Sequence, residues 1–513
     1  MPISTTLRAA LLPGLLWLWL FAHLHYEWTL NEQYNYGWAV PFLGALLFYQ
    51  RWQTRPPPDE PFRKPAASAL RWALLLLLLP IRVVEEANPD WRLLSWILGL
   101  VVVAFAFLSV SRLGGRSWAR HFAFPLCFPL VAVPWLVQIE NTIVQSLTRA
   151  VAAVAVEIAG WSGVGAYQLG NIIQLKNGFV GVDEACSGVK TLQAAIMVSL
   201  FLGELMRLRA SRRVLLLIGG CGWVFACNIM RATALVVIAA SRGLAALKEW
   251  HDLIGTAVLV IGMGGLVGLA LLLMQKQGDE GGAISRLPRQ NWGALESAPL
   301  WRMMLPIAWL VLIFAATEAW YRFHERQLIA RPHWDVSWPA VADAQEAPIA
   351  ETTRAILRYN EATSAAWENP RGVFWWGFFA RWQPQRAALQ LVRSHSPEIC
   401  LPAAGRIFRA ELAPLTVQFG GLSLAFRAFE FEQNERPLFV FVCIQEDKVT
   451  AGAADAPQME WNARGRLLAA WRGQRNLGQR LLEVAVTGQN SVPEAHQALS
   501  QNLRDALRVQ PKG

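Results

Sequence analysis

The chain has 513 residues, of which 54% are hydrophobic and only 16% are charged. This composition is too apolar for an ordinary soluble protein of that length, so it predicts an integral membrane protein. The net charge of +10 is spread over short basic loops, as in membrane proteins whose positive loops stay in the cytoplasm, and it does not favour a nucleic-acid-binding protein.

Roughly nine apolar runs approach the length of about 20 residues that a helix needs to cross a bilayer. The predicted spans are 8–24, 37–50, 70–84, 91–110, 122–138, 188–206, 214–240, 253–274 and 301–319. Between the fifth and sixth spans, residues 147–158 are apolar enough to predict an amphipathic helix that lies in the membrane interface. The predicted fold is a polytopic α-helical membrane protein with about eight or nine spans, followed by a C-terminal α+β domain.

The charges of the loops alternate between spans and predict the orientation of the chain. The loops 51–64, 112–120 and 207–213 are basic and are expected inside, whereas 27–32, 85–90 and 183–184 carry acidic residues and are expected outside. This orientation predicts a multi-pass membrane protein in which 183–184 and the C-terminal domain lie outside the cytoplasm.

The stretch VDEACSGVK, residues 182–190, places a cysteine in front of an apolar helix. The thiol of Cys186 would then lie at a helix N-terminus, where the helix dipole favours the thiolate. Asp183 and Glu184 act in the opposite direction, so a nearby cation is needed. The six cysteines show no CxxC pair and no zinc-ligand spacing, and neither a metal nor a cofactor is predicted.

The expected cation lies in the seventh predicted span, where a charged side chain is costly and usually functional. Asn228 and Arg231 share one face of this helix, and Arg231 is predicted near its outer end. His251 begins the next span on the same side, although snorkelling of Arg231 and an interfacial position of His251 are the simpler alternatives. The predicted catalytic residues are Cys186, Arg231 and His251, and the predicted supporting residues are Asn228, Glu184 and Ser187.

These motifs resemble the exosortase/archaeosortase family of membrane transpeptidases. The matching segments are DEACSG around Cys186, the NxxR run from Asn228 to Arg231, and His251 with Gly255 four residues later. Residues 33–50 are similar to a tyrosine- and glycine-bearing span of that family, and the resemblance covers about 10–275.

The resemblance implies a cysteine peptidase that cuts a C-terminal sorting signal of exported proteins and transfers them to an envelope acceptor, in bacteria that often make exopolysaccharide. The signal consists of a Pro-Glu-Pro-like motif, an apolar span and a basic tail (PEP-CTERM). Cys186 would form a thioester, Arg231 would bind the oxyanion or a substrate carboxylate, and His251 would act as acid and base. The implied partners are these exported proteins and membrane lipids, with no nucleic acid. The implied location is the bacterial inner membrane, with the active face and the C-terminal domain in the periplasm.

The rest of the chain is predicted to contain two further parts. Residues 276–320 form a cytoplasmic connector and the last span, and 321–513 form the α+β domain, whereas 1–275 form the catalytic domain. A β-hairpin is predicted over 422–446, and helical pieces are predicted over 465–486 and 496–507.

The string SHSPEICLPAAG, residues 394–405, resembles the Cys-bearing motif of a companion domain that accompanies exosortases. His395 and Cys400 could form a second nucleophile pair there. The alternative is a disulfide between Cys400 and Cys443 in an oxidising compartment.

Two other functions compete with the transpeptidase interpretation. A transporter could use Arg231 to bind an anion, but it predicts polar residues at mid-bilayer and an internal repeat, which the sequence lacks. An exopolysaccharide-assembly protein would need acidic catalytic residues in an outer loop, where Asp183 and Glu184 are the close candidates.

Overall fold

A computed structural model describes the chain over residues 5–59, 65–170, 172–176, 178–181, 188–275, 301–338, 344–349, 351–369, 372–384, 392, 397–403, 406–419, 421–433, 435–450, 462–475 and 478–509. The contacts divide it into two compact units. The membrane unit consists of Met1–Ile81 and Arg92–Ile313, and the sheet unit consists of Arg82–Trp91 and Phe314–Gly513.

Helices build most of the membrane unit. They are α1 (Thr5–Leu30), α2 (Val40–Gln53), α3 (Pro65–Ala87), α4 (Arg92–His121), α5 (Ala123–Cys127), α6 (Val137–Trp161), α7 (Val189–Leu205), α8 (Ala210–Arg242), α9 (Leu244–Gln275) and α10 (Trp301–Glu325), with 3-10 helices at Glu32–Ala39 and Phe128–Ala132. The division between the two units falls within α3 and within α10.

Within the part of the chain that the structure describes, six helices are long and apolar enough to cross a membrane. They lie at Pro65–Ala87, Arg92–His121, Val137–Trp161, Ala210–Arg242, Glu249–Gln275 and Met304–Glu325. The chain is therefore a polytopic α-helical membrane protein with a C-terminal part of mixed sheet and helix, as the composition predicts.

The six candidates are fewer than the eight or nine spans predicted, because the predicted spans 8–24, 37–50 and 188–206 form α1, α2 and α7, which are not among the six. Two further predicted elements differ in the structure. The predicted span 122–138 is broken into α5, a 3-10 helix and an irregular segment, because Pro129 and Pro134 lack the N–H that a continuous helix needs. The interfacial helix predicted over 147–158 is instead the middle of α6, which is continuous over 25 residues. Burial explains the longer helix, since Val144, Val151 and Ala155 pack at helical spacing against the rest of the unit.

A small antiparallel sheet follows α6 and leads toward Cys186. Its strands are β1 (Ala166–Leu169), β2 (Ile172–Leu175) and β3 (Gly178–Gly181), in the order β1-β2-β3. The first turn contains Gly170 at φ 64°, a conformation that favours glycine. Ile173 and Val180 are buried in one hydrophobic cluster with Val151 of α6 and Leu235 of α8. This cluster fixes the sheet against the helices that carry the predicted catalytic residues.

The sheet unit is built on seven antiparallel strands in the order β6-β7-β8-β13-β11-β10-β9. These strands are β6 (Gln345–Glu346), β7 (Glu361–Glu368), β8 (Phe374–Trp382), β9 (Ile407–Phe419), β10 (Leu422–Gln433), β11 (Arg436–Glu446) and β13 (Gln479–Thr487). Short strands β4 (Leu328–Ala330), β5 (Trp334–Val336), β12 (Lys448–Thr450) and β14 (Leu507–Val509) form the pairs β12-β4 and β14-β5. The helices are α11 (Glu351–Leu357), α12 (Pro397–Ala403), α13 (Ala463–Trp471) and α14 (Val492–Ala506).

The hairpin predicted over 422–446 is confirmed, because β10 and β11 pair in antiparallel register and close at Gln433 and Arg436. The helix predicted over 496–507 is confirmed by α14. The prediction for 465–486 is half wrong: its first part forms α13, but its second part is β13, the central strand of the sheet. Pairing with β8 and β11 on both sides overrides the local helical pattern there.

Side chains of the central sheet alternate between two separate hydrophobic layers. One layer contains Phe441, Cys443, Leu482 and Val484 and is covered by α14. The other contains Phe378, Val442 and Leu481, with Leu401 of α12 packed against it. This two-sided burial accounts for the dense aromatic and aliphatic composition of strands β8, β11 and β13.

Within the sheet unit, Arg475 ties the loop after α13 to the ends of two helices. Its guanidinium contacts Glu86 at 3.1 Å, Glu318 at 2.6 Å and Glu325 at 2.8 Å. Near this point, Tyr321 donates a hydrogen bond to the carbonyl of Val83 at 2.5 Å. Because the Arg475 side chain is only 11% exposed, these ion pairs are partly shielded from solvent.

Candidate active site

Arg231 and His251 meet in the membrane unit, across two helices. Arg231 lies on α8 and His251 near the start of α9, and the Arg231 Nη2 to His251 Nε2 distance is 3.1 Å. A guanidinium carries only donors, so it donates to Nε2, which must be unprotonated. The other ring nitrogen, Nδ1, then carries the proton and donates to Asp252 Oδ1 at 3.1 Å. The contacts therefore define a neutral imidazole between a cation and a carboxylate.

Gly255 makes room for the guanidinium one helical turn after His251. A Cβ atom at this position would lie 3.1 Å from Arg231 Nη2 and 3.4 Å from Cζ. The first distance is tighter than most Cβ contacts, so a side chain at this position would shift the guanidinium by a few tenths of an ångström relative to the imidazole. The spacing of His251 and Gly255 in the sequence thus has a steric reason.

Asn228 lies three residues before Arg231 and packs against the start of α7. Its side chain is 3% exposed, and a Cβ at Gly188 would lie 2.7 Å from its Nδ2. Gly188 itself has φ 77°, in the left-handed region that favours glycine. Both its backbone and its surroundings therefore require glycine at the residue from which α7 begins. One face of α8 consequently contacts the start of α7 through Asn228 and the start of α9 through Arg231.

The remaining predicted residues of this motif, Glu184, Cys186 and Ser187, lie outside the described residues. The structure thus brings together Gly188, Asn228, Arg231 and His251, and the catalytic role of each stays a prediction. No group of three or more His, Cys, Asp or Glu side chains that could hold a metal ion occurs within the ranges that the structure describes.

Comparison with protein families matches residues 28–268 to the transmembrane exosortase family. This match covers 241 of the 513 residues and supports membership of that family. The matched range contains Cys186, Arg231 and His251, and it supports a membrane transpeptidase of the sorting type. No curated protein and no solved structure matches the chain.

A second polar cluster in the membrane unit lies near the start of α7, and the sequence analysis did not predict it. Glu140 of α6 accepts hydrogen bonds from Tyr34 at 2.8 Å and from Gln33 at 2.5 Å, and it forms an ion pair with Arg92. Lys190 in the first turn of α7 lies 3.6 Å from Glu32. The available signal was a glutamate and an arginine next to apolar spans, together with the tyrosine-bearing segment 33–50.

Asp252 was also missed. Its only sequence signal is that it directly follows His251, and adjacent residues on a helix seldom share a face. The side chain is 95% exposed, but its carboxylate still reaches Nδ1 of the neighbouring imidazole. It therefore sets the tautomer of His251, which only the coordinates could indicate.

The predicted second site lies in the sheet unit and consists of His395, Cys400 and Cys443. His395 and the side chain of Cys400 lie outside the described residues. Cys443 is a free thiol and the Cys400 side chain is not described, so the alternative of a disulfide between them receives no support. Cys443 points into the layer covered by α14, whereas Leu401, next to Cys400, packs against the opposite layer. Complete burial also raises the pKa of Cys443 to about 12, which makes this thiol unreactive.

The other described cysteines lie in or next to the apolar helices. Cys127, Cys221 and Cys227 are free, and Cys227 is only 2% exposed. Free cysteines in such surroundings commonly act as small apolar side chains.

Proposed function

We propose that this exosortase family member is a membrane cysteine transpeptidase. It would cleave a PEP-CTERM-like sorting signal of exported proteins through a thioester and transfer the protein to an envelope acceptor. The observation that carries the proposal is the contact of Arg231 with His251 on a helix that also contacts Gly188 through Asn228. Polar side chains inside an apolar bundle are costly, and their gathering at one point indicates chemistry there.

Covalent connection supports Cys186 as the nucleophile. Only two peptide units separate it from Gly188, so their Cα atoms lie within about 7 Å of each other. Gly188 in turn adjoins Asn228, one helical turn before Arg231. This tether supports a position of the Cys186 thiol near the face of α8 that carries Asn228 and Arg231, which the proposed mechanism requires.

The contacts of His251 suggest how the first step proceeds. Its neutral imidazole accepts a hydrogen bond from Arg231 at Nε2, which is the atom that would take the proton of the Cys186 thiol. When Arg231 turns to a substrate oxygen, Nε2 is released, and the imidazolium that forms is stabilised by Asp252 at Nδ1. The thiolate then attacks the scissile carbonyl, and Arg231 stabilises the oxyanion.

The proton on His251 would pass to the leaving amine as the carbon–nitrogen bond breaks, which leaves a thioester on Cys186. The neutral imidazole then takes a proton from the acceptor nucleophile, which attacks the thioester and restores the thiol. Every proton is thus accounted for by one histidine, and no further acid or base is required.

The test uses the full-length protein in nanodiscs with a synthetic substrate that carries the motif, the apolar span and the basic tail. Hydroxylamine intercepts thioesters, so it should yield a hydroxamate at the new C-terminus of the substrate. Cys186→Ala should reduce this product by at least about 1000-fold. Cys227→Ala, which removes a buried thiol one residue before Asn228, should remain near the wild-type rate, and undiminished product from Cys186→Ala would refute the mechanism.

We also propose that the active face and the sheet unit lie in the periplasm, as sorting of exported proteins requires. The basic segment 207–213, which includes the first turn of α8, should then be cytoplasmic. A cysteine at Ser211, which is exposed, should react with a membrane-impermeant thiol reagent only after spheroplasts are lysed. Cysteines at His251 or in the sheet unit should react before lysis, and the reverse pattern would place the site on the wrong side.

A further inference from the structure

The strand β3 presents an open backbone edge next to the candidate active site. It pairs with β2 on one side, and within the described ranges no strand pairs with its other side. The N–H and C=O groups along such an edge can bind another extended chain. Proteins usually protect such edges with charged residues, prolines or bulges. The β3 sequence Gly-Phe-Val-Gly contains no charge and no proline.

Glycines at both ends of β3 leave its backbone accessible. Gly178 and Gly181 have no side chain that could hold a second backbone at a distance, and glycine within a strand often marks a close approach of a ligand. The middle of the strand is well anchored, because Val180 is 5% exposed. The edge of β3 therefore has no side chain at either end, and the buried Val180 holds the strand in place.

The hydrophobic cluster that anchors β3 also contains residues that lie next to Arg231 and His251 on their helices. Ala232 and Leu235 follow Arg231 on α8, and Leu247 and Ile254 lie on the His251 side of α9. All four pack in the cluster that includes Val180. The edge of β3 is consequently held in a defined position relative to Arg231 and His251.

The chain connects β3 directly to the predicted nucleophile. Gly181 ends the strand five residues before Cys186, so their Cα atoms lie at most about 17 Å apart. An extended peptide of a few residues beside β3 spans a similar length, at about 3.3 Å per residue. Such a peptide could place a bond at the thiol while its neighbouring residues pair with the strand.

We propose that the open edge of β3 binds the segment next to the scissile bond as an added antiparallel or parallel strand. This inference rests on the proposed function and names how the sorting signal is held. A Pro-Glu-Pro motif suits this mode, because alternate residues of a strand direct their backbone groups to opposite edges. Both prolines would turn their N–H-deficient side away from β3, and the glutamate between them would pair with it.

The experiment measures binding separately from cleavage. Full-length Cys186→Ala protein and a labelled substrate peptide are co-reconstituted in liposomes, and their association is followed by energy transfer. Backbone nitrogens of the peptide are methylated one at a time around the motif. Methylation at every second residue should weaken binding about fivefold, the net value of one hydrogen bond, while intervening positions should change it by less than about twofold.

Equal effects at neighbouring positions, or no binding of the unmethylated peptide, would overturn the β3 proposal. Cleavage of the unmethylated peptide by the wild-type protein is measured in parallel. Loss of cleavage with an intact alternating pattern would contradict the proposed function and leave the docking mode standing, so the two failures are distinguishable.

A photoreactive side chain provides a matched control for position. Benzoylphenylalanine replaces either Phe179 on β3, which keeps Gly178 and Gly181, or Tyr167 on β1, the strand at the opposite edge, where the side chain is 73% exposed. Crosslinks to the peptide should form from position 179 and at least about fivefold less from position 167. Preferential crosslinking from 167, or crosslinks between two copies of the protein, would contradict the proposal.

Discussion

Arg231 and His251 in the membrane unit contact each other across two helices, whereas Cys443 in the sheet unit is sealed between aromatic and aliphatic side chains. The sequence predicts reactive side chains in both regions, and apolar residues surround both. In the membrane unit the polar groups have one another as partners, and glycines at 188 and 255 leave space around them. In the sheet unit the thiol lies in an apolar layer, and burial raises the pKa of Cys443 to about 12 despite the opposing charge of Arg331. Reactivity therefore depends on polar partners and space, not on the residue type.

The largest difference between the two regions should appear on conservative replacement of an arginine in each, the half-buried Arg231 and the buried Arg480. Arg231→Lys retains the charge but not the planar fork of donors, so we expect processing of the substrate to fall about 100- to 1000-fold. Arg480, which is 1% exposed and pairs with Asp447, provides the control in the sheet unit. Arg480→Lys should leave processing nearly unchanged, and equal losses in both variants would remove the functional distinction.

The next prediction concerns Arg475, whose ion pairs stabilise the sheet unit and for which no catalytic role is proposed. Arg475→Met leaves Glu86 and Glu318 without their shared cation, so we expect the sheet unit to lose about 2 kcal/mol of stability. Its melting temperature should fall by about 5 °C in a thermal scan. The exposed neighbour Arg472 is the control, and Arg472→Met should shift the transition by about 1 °C or less. A similar shift in both would show that the ion pairs contribute little.

Gly188 and Gly163 have the same backbone conformation, so their alanine variants distinguish the effect of backbone strain from the effect of a contact at the candidate site. Gly188 has φ 77° and Gly163 has φ 78°, but only Gly188 lies against Asn228, whereas a Cβ at Gly163 would meet nothing within 4 Å. Both alanine variants should lose about 1 kcal/mol of stability through backbone strain. Gly188→Ala should also lower processing about tenfold by displacing Asn228 and the start of α7. Equal activity of the two variants would separate this contact from catalysis.

The smallest effect should be a pH dependence in the sheet unit. Partial burial between Phe378 and Val442 raises the pKa of Glu483 to about 7. A raised carboxyl pKa means that the folded state holds a proton that the unfolded state has lost, so stability decreases as the pH rises from about 4.5 to 7. Glu483→Gln should therefore raise the melting temperature relative to wild type by about 3 °C at pH 8 and by much less at pH 5. Glu435→Gln, at an exposed turn, should show no such trend.

Much of the membrane unit follows from the sequence because a bilayer constrains it strongly. The bilayer demands apolar helices, and a charged residue within one is conspicuous, which is why Arg231 and its neighbour Asn228 were found from their spacing alone. The hairpin at 422–446 could also be predicted from the sequence, since alternating apolar residues flank a short polar turn. In these segments the local pattern and the tertiary environment agree.

Tertiary structure alone decided the rest. The segment that forms β13 carries a helical pattern, but its position between β8 and β11 makes it a strand, because partners distant in sequence supply its hydrogen bonds. The alternation of a strand likewise turned Cys443 away from the layer that α12 covers, which no spacing of cysteines could indicate. The sequence named Arg231 and His251, but their contact, the tautomer that Asp252 imposes, and the reason for Gly188 and Gly255 exist only where separate helices meet. Side-chain identity is local, whereas distance and orientation between elements are properties of the packed chain.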